Sequence, residues 1–204
     1  MDLETGDILW LPDDLRVPHS SGGWFWNPFR LTGHVAMVFF KDGEKKDIPD
    51  DPVHKDHAHA VPYVVEAVKN AKNPNPKLPR ISQVREIPYH LWALNFRTFW
   101  HGRIKKPSTG GLVDLSPEEQ IALVTEALSH LRKPYSGWRG PSLDCYTRFS
   151  CSKLVLVAAY DALKMALDDH QPSDDPQRRF PSVAAWLRKS PYIFDVPPPP
   201  PPPP

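Results

Sequence analysis

Phe149-Ser150-Cys151-Ser152-Lys153-Leu154-Val155 is the stretch on which the reading of this chain turns. An irregular segment ends there and an apolar helical pattern begins, running to Leu167. A helix that is apolar nearly all round belongs inside a protein, so this one is expected at the centre of the fold. Cys151 falls in its first turn. Backbone N–H groups there lack helical acceptors, and the macrodipole is positive. Both favour thiolate over thiol, and thiolate is the nucleophile. A cysteine beside an apolar helix is more often a small core residue, so position alone does not make Cys151 catalytic. Cys145 follows a Gly140-Pro141 turn with no helix start behind it, which ranks it below Cys151.

A nucleophile needs a base, and the two can be far apart in sequence. Gly33-His34-Val35-Ala36-Met37-Val38-Phe39-Phe40 reads as a strand buried on both faces, with His34 at its entrance. A histidine opening a strand is more often structural, so His34 too gains weight only from its company. Glu66 interrupts the apolar run Tyr63-Val64-Val65-Glu66-Ala67-Val68. A charge buried in a strand is costly unless paired, which makes Glu66 a candidate to orient His34. The competing reading places it on the outward face of a half-exposed strand.

Several segments resemble one family when taken in order. Gly6-Asp7-Ile8-Leu9, Gly33 to Val38, Val64-Val65-Glu66-Ala67, Lys133-Pro134-Tyr135 and Phe149 to Val155 look like the circularly permuted NlpC-type papain-like cysteine hydrolases. The YiiX-like proteins are typical members, and the lecithin:retinol acyltransferase-like enzymes are more distant ones. The histidine strand precedes the cysteine, as in the permuted group. The resemblance spans most of residues 5 to 195, with long insertions. It implies an α+β, papain-like (permuted NlpC) core, with a central helix packed on a small antiparallel β-sheet. It also implies a Cys151, His34 and Glu66 triad, and a place for Tyr135 near the nucleophile. Lys153 departs from the pattern, which often has glutamate there; this position is expected to face away from the chemistry.

Composition agrees with a folded enzyme. The 204 residues suit one domain, expected over residues 1–196, and 40% of them are apolar, which argues against disorder. A net charge of +1 gives no reason to expect nucleic acid. The basic segment His101-Gly102-Arg103-Ile104-Lys105-Lys106 is short and reads as a solvated loop. No apolar run is long enough to span a bilayer. The N-terminus shows no secretory signal, and two cysteines make no disulfide framework. Both features fit a cytoplasmic protein, or one exported without a cleavable signal, such as an injected effector. Phosphate loops and dinucleotide fingerprints are absent, so no cofactor is expected. His54, His57 and His59 cluster in a polar stretch, but nothing nearby completes a ligand set, and no metal site is assigned.

Strands are expected at Ile8–Leu11, His34–Phe40, Tyr63–Val68, around Val84–Ile87 and at Tyr192–Val196; 91–100 is ambiguous between strand and helix. Ser116-Pro117-Glu118-Glu119 is a helix start with a capping box, followed by the stripe Ile121, Val124, Leu128 and Leu131. Phe180-Pro181-Ser182 opens a last short helix. Residues 197–204 are eight prolines, a polyproline II rod that could dock on a partner's aromatic groove or serve as a passive spacer.

The chemistry expected is acyl transfer through a Cys151 thioester. The leading substrate class is a peptide, cell-wall peptides included, cleaved by an amidase or endopeptidase. The alternative is an acyl-lipid ester or thioester, cleaved by an acyl hydrolase or used by an acyltransferase. Trp24 and Trp26, just before the histidine strand, could build an apolar groove for either or pack as a lid. A third reading is a non-enzymatic module that works through its proline tail.

Overall fold

Unbroken apolarity makes β2 (His34–Asp42) a central strand: Val35 to Phe39 are all buried between neighbours on both sides. The computed structural model describes residues 3–11, 34–42, 60–71, 79–94, 99–136, 146–167, 187 and 189–196. β2 pairs antiparallel with β1 (Ile8–Leu11) and with β3 (Ala60–Ala71). β4 (Ile81–Pro88) extends the sheet beyond β3. On the other side β5 (Trp100–Ser108) pairs with β1, and carries both β6 (Gly111–Asp114) and β7 (Ile193–Asp195). The order is β4-β3-β2-β1-β5-β6, with β7 also on β5 and every pairing antiparallel.

Strand alternation sorts the side chains into two layers. Ile8, Val35, Met37, Phe39 and Val65 face α2 (Pro117–Ser129) and α3 (Cys151–Leu163). Leu9, Leu11, Ala36, Val38 and Val64 face the short helix α1 (Tyr89–Ala93), whose Trp92 packs over them. The fold is thus mixed α and β, with an antiparallel sheet and few helices, as expected in outline. α3 is the buried helix: Cys151 through Ala159 are all buried.

Local signals hold where they rest on caps. The Ser116 hydroxyl accepts from the Glu119 N–H and the Glu119 carboxylate accepts from the Ser116 N–H, with Pro117 in the first turn. Three expectations need correction. The buried stripe of α2 is Leu123, Val124 and Ala127, while Ile121 is 61% exposed, so the helix is turned from the phase its apolar spacing suggested. α3 stops at Leu163, where Lys164 adopts a left-handed conformation, short of Leu167. The basic segment 101–106 is the heart of β5, not a loop. Its charges are balanced by partners: Asp7 for His101 and Arg103, Asp114 for Lys105, Glu119 for Lys106. The ambiguous 91–100 stretch holds the end of α1 and the start of β5. Gly102 is required where β7 crosses β5, because a Cβ there would lie 2.8 Å from Ile193 Cγ2. The helix expected after Phe180 and the tail 197–204 lie outside the described residues, apart from Leu187.

Candidate functional site

The site forms where the sheet forks. Pairing between β2 and β3 begins at Met37–Val65. Before that point His34, Val35 and Ala36 pair with β1, while Glu66 and Ala67 pair with β4. Cys151 enters at this fork from the α3 face. Its sulfur accepts from the backbone N–H groups of Val35 and Ser152 and is hydrogen-bonded to His34. α3 is held in that position by Ser150, whose hydroxyl caps the Lys153 N–H. Ser150 is positioned in turn by the Lys133-Pro134-Tyr135 segment, which runs along the β4 edge. The Lys133 carbonyl accepts from Val84 N–H and Tyr135 N–H donates to the Ser82 carbonyl. The same segment then bridges to Phe149, whose N–H donates to Pro134 and whose carbonyl accepts from Ser136.

His34 and Glu66 lie on the α1 face of the sheet. Glu66 Oε2 is 2.6 Å from His34 Nε2. That contact leaves Nδ1 as the ring nitrogen for the Cys151 sulfur. Glu66 is 1% exposed, and both of its oxygens are engaged. Oε1 accepts from Arg85 Nε at 2.9 Å and Nη2 at 2.7 Å, and Oε2 accepts from Trp92 Nε1 at 2.9 Å. A buried carboxylate with this many charge-assisted bonds is fixed in place and in charge.

Electrostatics follow from the contacts. Burial alone would discharge His34, but its bonds to Cys151 and Glu66 outweigh burial and raise it from the usual 6.5 to about 10. Burial would likewise protonate Glu66, yet His34 and Arg85 hold it down at about 2. Cys151 is pulled below the ordinary thiol value of 9.0: burial opposes ionisation, and the His34 bond and charge, with the two backbone N–H groups, overcome it. All three shifts favour thiolate beside imidazolium. Tyr135 packs against the α3-side core. Its phenol is pushed up to about 12 by burial and by the nearby Cys151 charge.

Of the residues singled out in the sequence, Cys151, His34 and Glu66 therefore meet, with Tyr135 at their side. Trp24, Trp26, Cys145 and the His54, His57, His59 cluster lie outside the described residues. Lys153 is fully buried, with Nζ 5.2 Å from the centre of the Phe149 ring. Sequence reasoning missed Arg85 and Trp92. Arg85 is the direct cross-strand partner of Glu66, a register fact that a single strand does not carry. It also missed a second carboxylate network on the same face. Asp7, 1% exposed, accepts from His101 Nε2 at 2.6 Å, from Arg103 Nε at 2.9 Å and from the Glu4 N–H at 2.7 Å. Burial opposes the Asp7 charge, and His101 and Arg103 lower its pKa nonetheless. This network ties the start of β1 to β5.

The chain matches no family model and no curated protein. Among solved structures it is similar to the metalloprotein YiiX from Escherichia coli O157:H7, with a TM-score of 0.55 and 22% identity over 95% of this chain and 96% of that one. The fold is YiiX-like. No helix among the described residues is long and apolar enough to cross a membrane.

Proposed function

We propose that the protein is a cysteine hydrolase of the permuted NlpC, papain-like type, working through a thioester on Cys151. One observation carries this reading: the hydrogen-bonded series Cys151, His34, Glu66, with the cysteine in the first turn of a buried helix. The Cys151 thiolate attacks a carbonyl carbon, forming the S–C bond. The Cys151 backbone N–H, in the first turn of α3, is the donor offered to the developing oxyanion. His34 gives its Nδ1 proton to the leaving group as the scissile bond breaks. Neutral His34 then takes a proton from water, and the hydroxide releases the acyl group. Glu66, held by Arg85 and Trp92, keeps the imidazole in the tautomer and orientation that this sequence needs.

The metalloprotein designation of YiiX is not carried to these residues. Among the described residues no group of three or more His, Cys, Asp or Glu could hold a metal ion. Glu66, beside His34, has both oxygens committed to nitrogen donors.

The leading substrate is a peptide amide, cell-wall peptides included. Incubating the purified protein with peptidoglycan fragments and with a lipid panel tests this. Release of new amino termini, lost in Cys151→Ala, is the expected result. Release of fatty acid alone would move the protein to the acyl-lipid hydrolases, and no turnover of either set would remove the enzymatic reading.

A further inference from the structure

Lys153 is fully buried in the first turn of α3, yet the hydrolytic steps give it no task. Holding an ammonium out of water is costly, and a packed apolar side chain of similar volume is often neutral or stabilising in its place. Lys153 Nζ lies over the Phe149 ring, 5.2 Å from the centre, within the range of a cation–π contact. The same ring carries His130, stacked at 4.3 Å between centroids and 27° between planes. His130 is buried and caps the end of α2, where its N–H donates to the Ala127 carbonyl. Phe149 is therefore a buried bridge between the end of α2 and the start of α3.

Phe149 also sets where α3 begins. Its N–H donates to the Pro134 carbonyl, and its own carbonyl accepts from the Ser136 N–H. Ser150, next in the chain, caps the helix, and Cys151 follows. The backbone bonds fix the main chain of Phe149, and the contacts with His130 and Lys153 fix its ring. A sulfur that must meet both the His34 imidazole and the Val35 N–H tolerates little displacement of that turn. We propose that Lys153 and His130 are positioning residues: they clamp the Phe149 ring and thereby hold the Cys151 sulfur and N–H in register with His34. Lys153 acts through Phe149 and not on the sulfur, as suits a side chain two residues beyond Cys151, which a helix turns to another face. The proposal rests on the thiol-hydrolase reading and adds to it what holds the nucleophile in place.

The test is the pH profile of Cys151 alkylation by iodoacetamide, read by intact mass in a Cys145→Ser background, with a melting curve to show that each variant is folded. Lys153→Met keeps the apolar stem and removes the charge. Its profile is expected to move to the alkaline side, part of the way to that of His34→Ala. Its alkylation rate at neutral pH is expected to fall by about tenfold, within what a displacement of about 1 Å can cost. A merely structural lysine would change the melting temperature and leave the profile of the folded protein where it was. Should Lys153→Met fail to fold, Phe149→Leu removes the π face that both clamping residues use and is expected to give the same shift. A wild-type profile in either folded variant would overturn the clamp and leave the thiol hydrolase intact. Identical profiles for wild type and His34→Ala would overturn both.

Discussion

Glu66 shows how much one side chain decides at this site. Four nitrogen donors converge on it, from His34, Arg85 and Trp92. Glu66→Gln puts an amide NH2 against one of these donors and removes the charge that favours the His34 Nε2 proton. We expect kcat to fall by ~100-fold or more, as when a triad carboxylate becomes an amide. Unchanged activity in the folded variant would return Glu66 to a structural role. The pKa shifts also set a pH window. His34 is raised, so its contribution to stability is complete below 6.5 and is lost as pH climbs through about 10. Glu66 is lowered, so its contribution is complete above 4.5 and is lost as pH drops through about 2. The Tm difference between wild type and Glu66→Gln, followed by calorimetry, should be widest between pH 4.5 and 6.5 and narrow on either side. A difference independent of pH would contradict the pairing.

Elements were legible wherever the signal was local. The Ser116 capping box, the apolar β2 and the helix start at Cys151 can all be read within a few residues. Partners in register could not. β5 read as a basic loop because its balancing carboxylates, Asp7, Glu4, Asp114 and Glu119, sit on other elements. Its alternation is real all the same: His101 and Arg103 face Asp7, while Ile104 enters the α3-side core. The phase of α2 was misread for a similar reason, since only packing on α3 distinguishes Leu123 from Ile121. Asp7 gives the prediction at this scale. Asp7→Asn sets the buried His101 and the half-buried Arg103, which keeps its Glu4 partner, against a neutral amide at the β1–β5 seam, and should cost about 3 kcal/mol in urea unfolding. A loss within ~0.5 kcal/mol would mean the network is a surface-like pair of little weight.

The whole molecule closes on itself through β7. Gly102 admits Ile193, and the Val196 N–H donates to the His101 carbonyl at 2.8 Å. A chain ending at Val196 is therefore expected to keep the Tm of the full chain, and one ending at Ser190 to melt several degrees lower. Equal melting of the two would show that β7 adds nothing to the sheet. The outline of the fold and the three residues that meet at its fork were what the family resemblance implied, on motifs taken in order. The clamp around Glu66 could not be read that way, because strand register creates it. The central claim is that Cys151 and His34 form a thiolate–imidazolium pair. Its most direct test is the rate of iodoacetamide alkylation of Cys151 against pH, in a Cys145→Ser background, with and without His34→Ala. Alkylation is expected to stay fast well below pH 9 while His34 is present, and His34→Ala is expected to shift the profile to the alkaline side. Identical profiles in the two proteins, both rising only near pH 9, would contradict it.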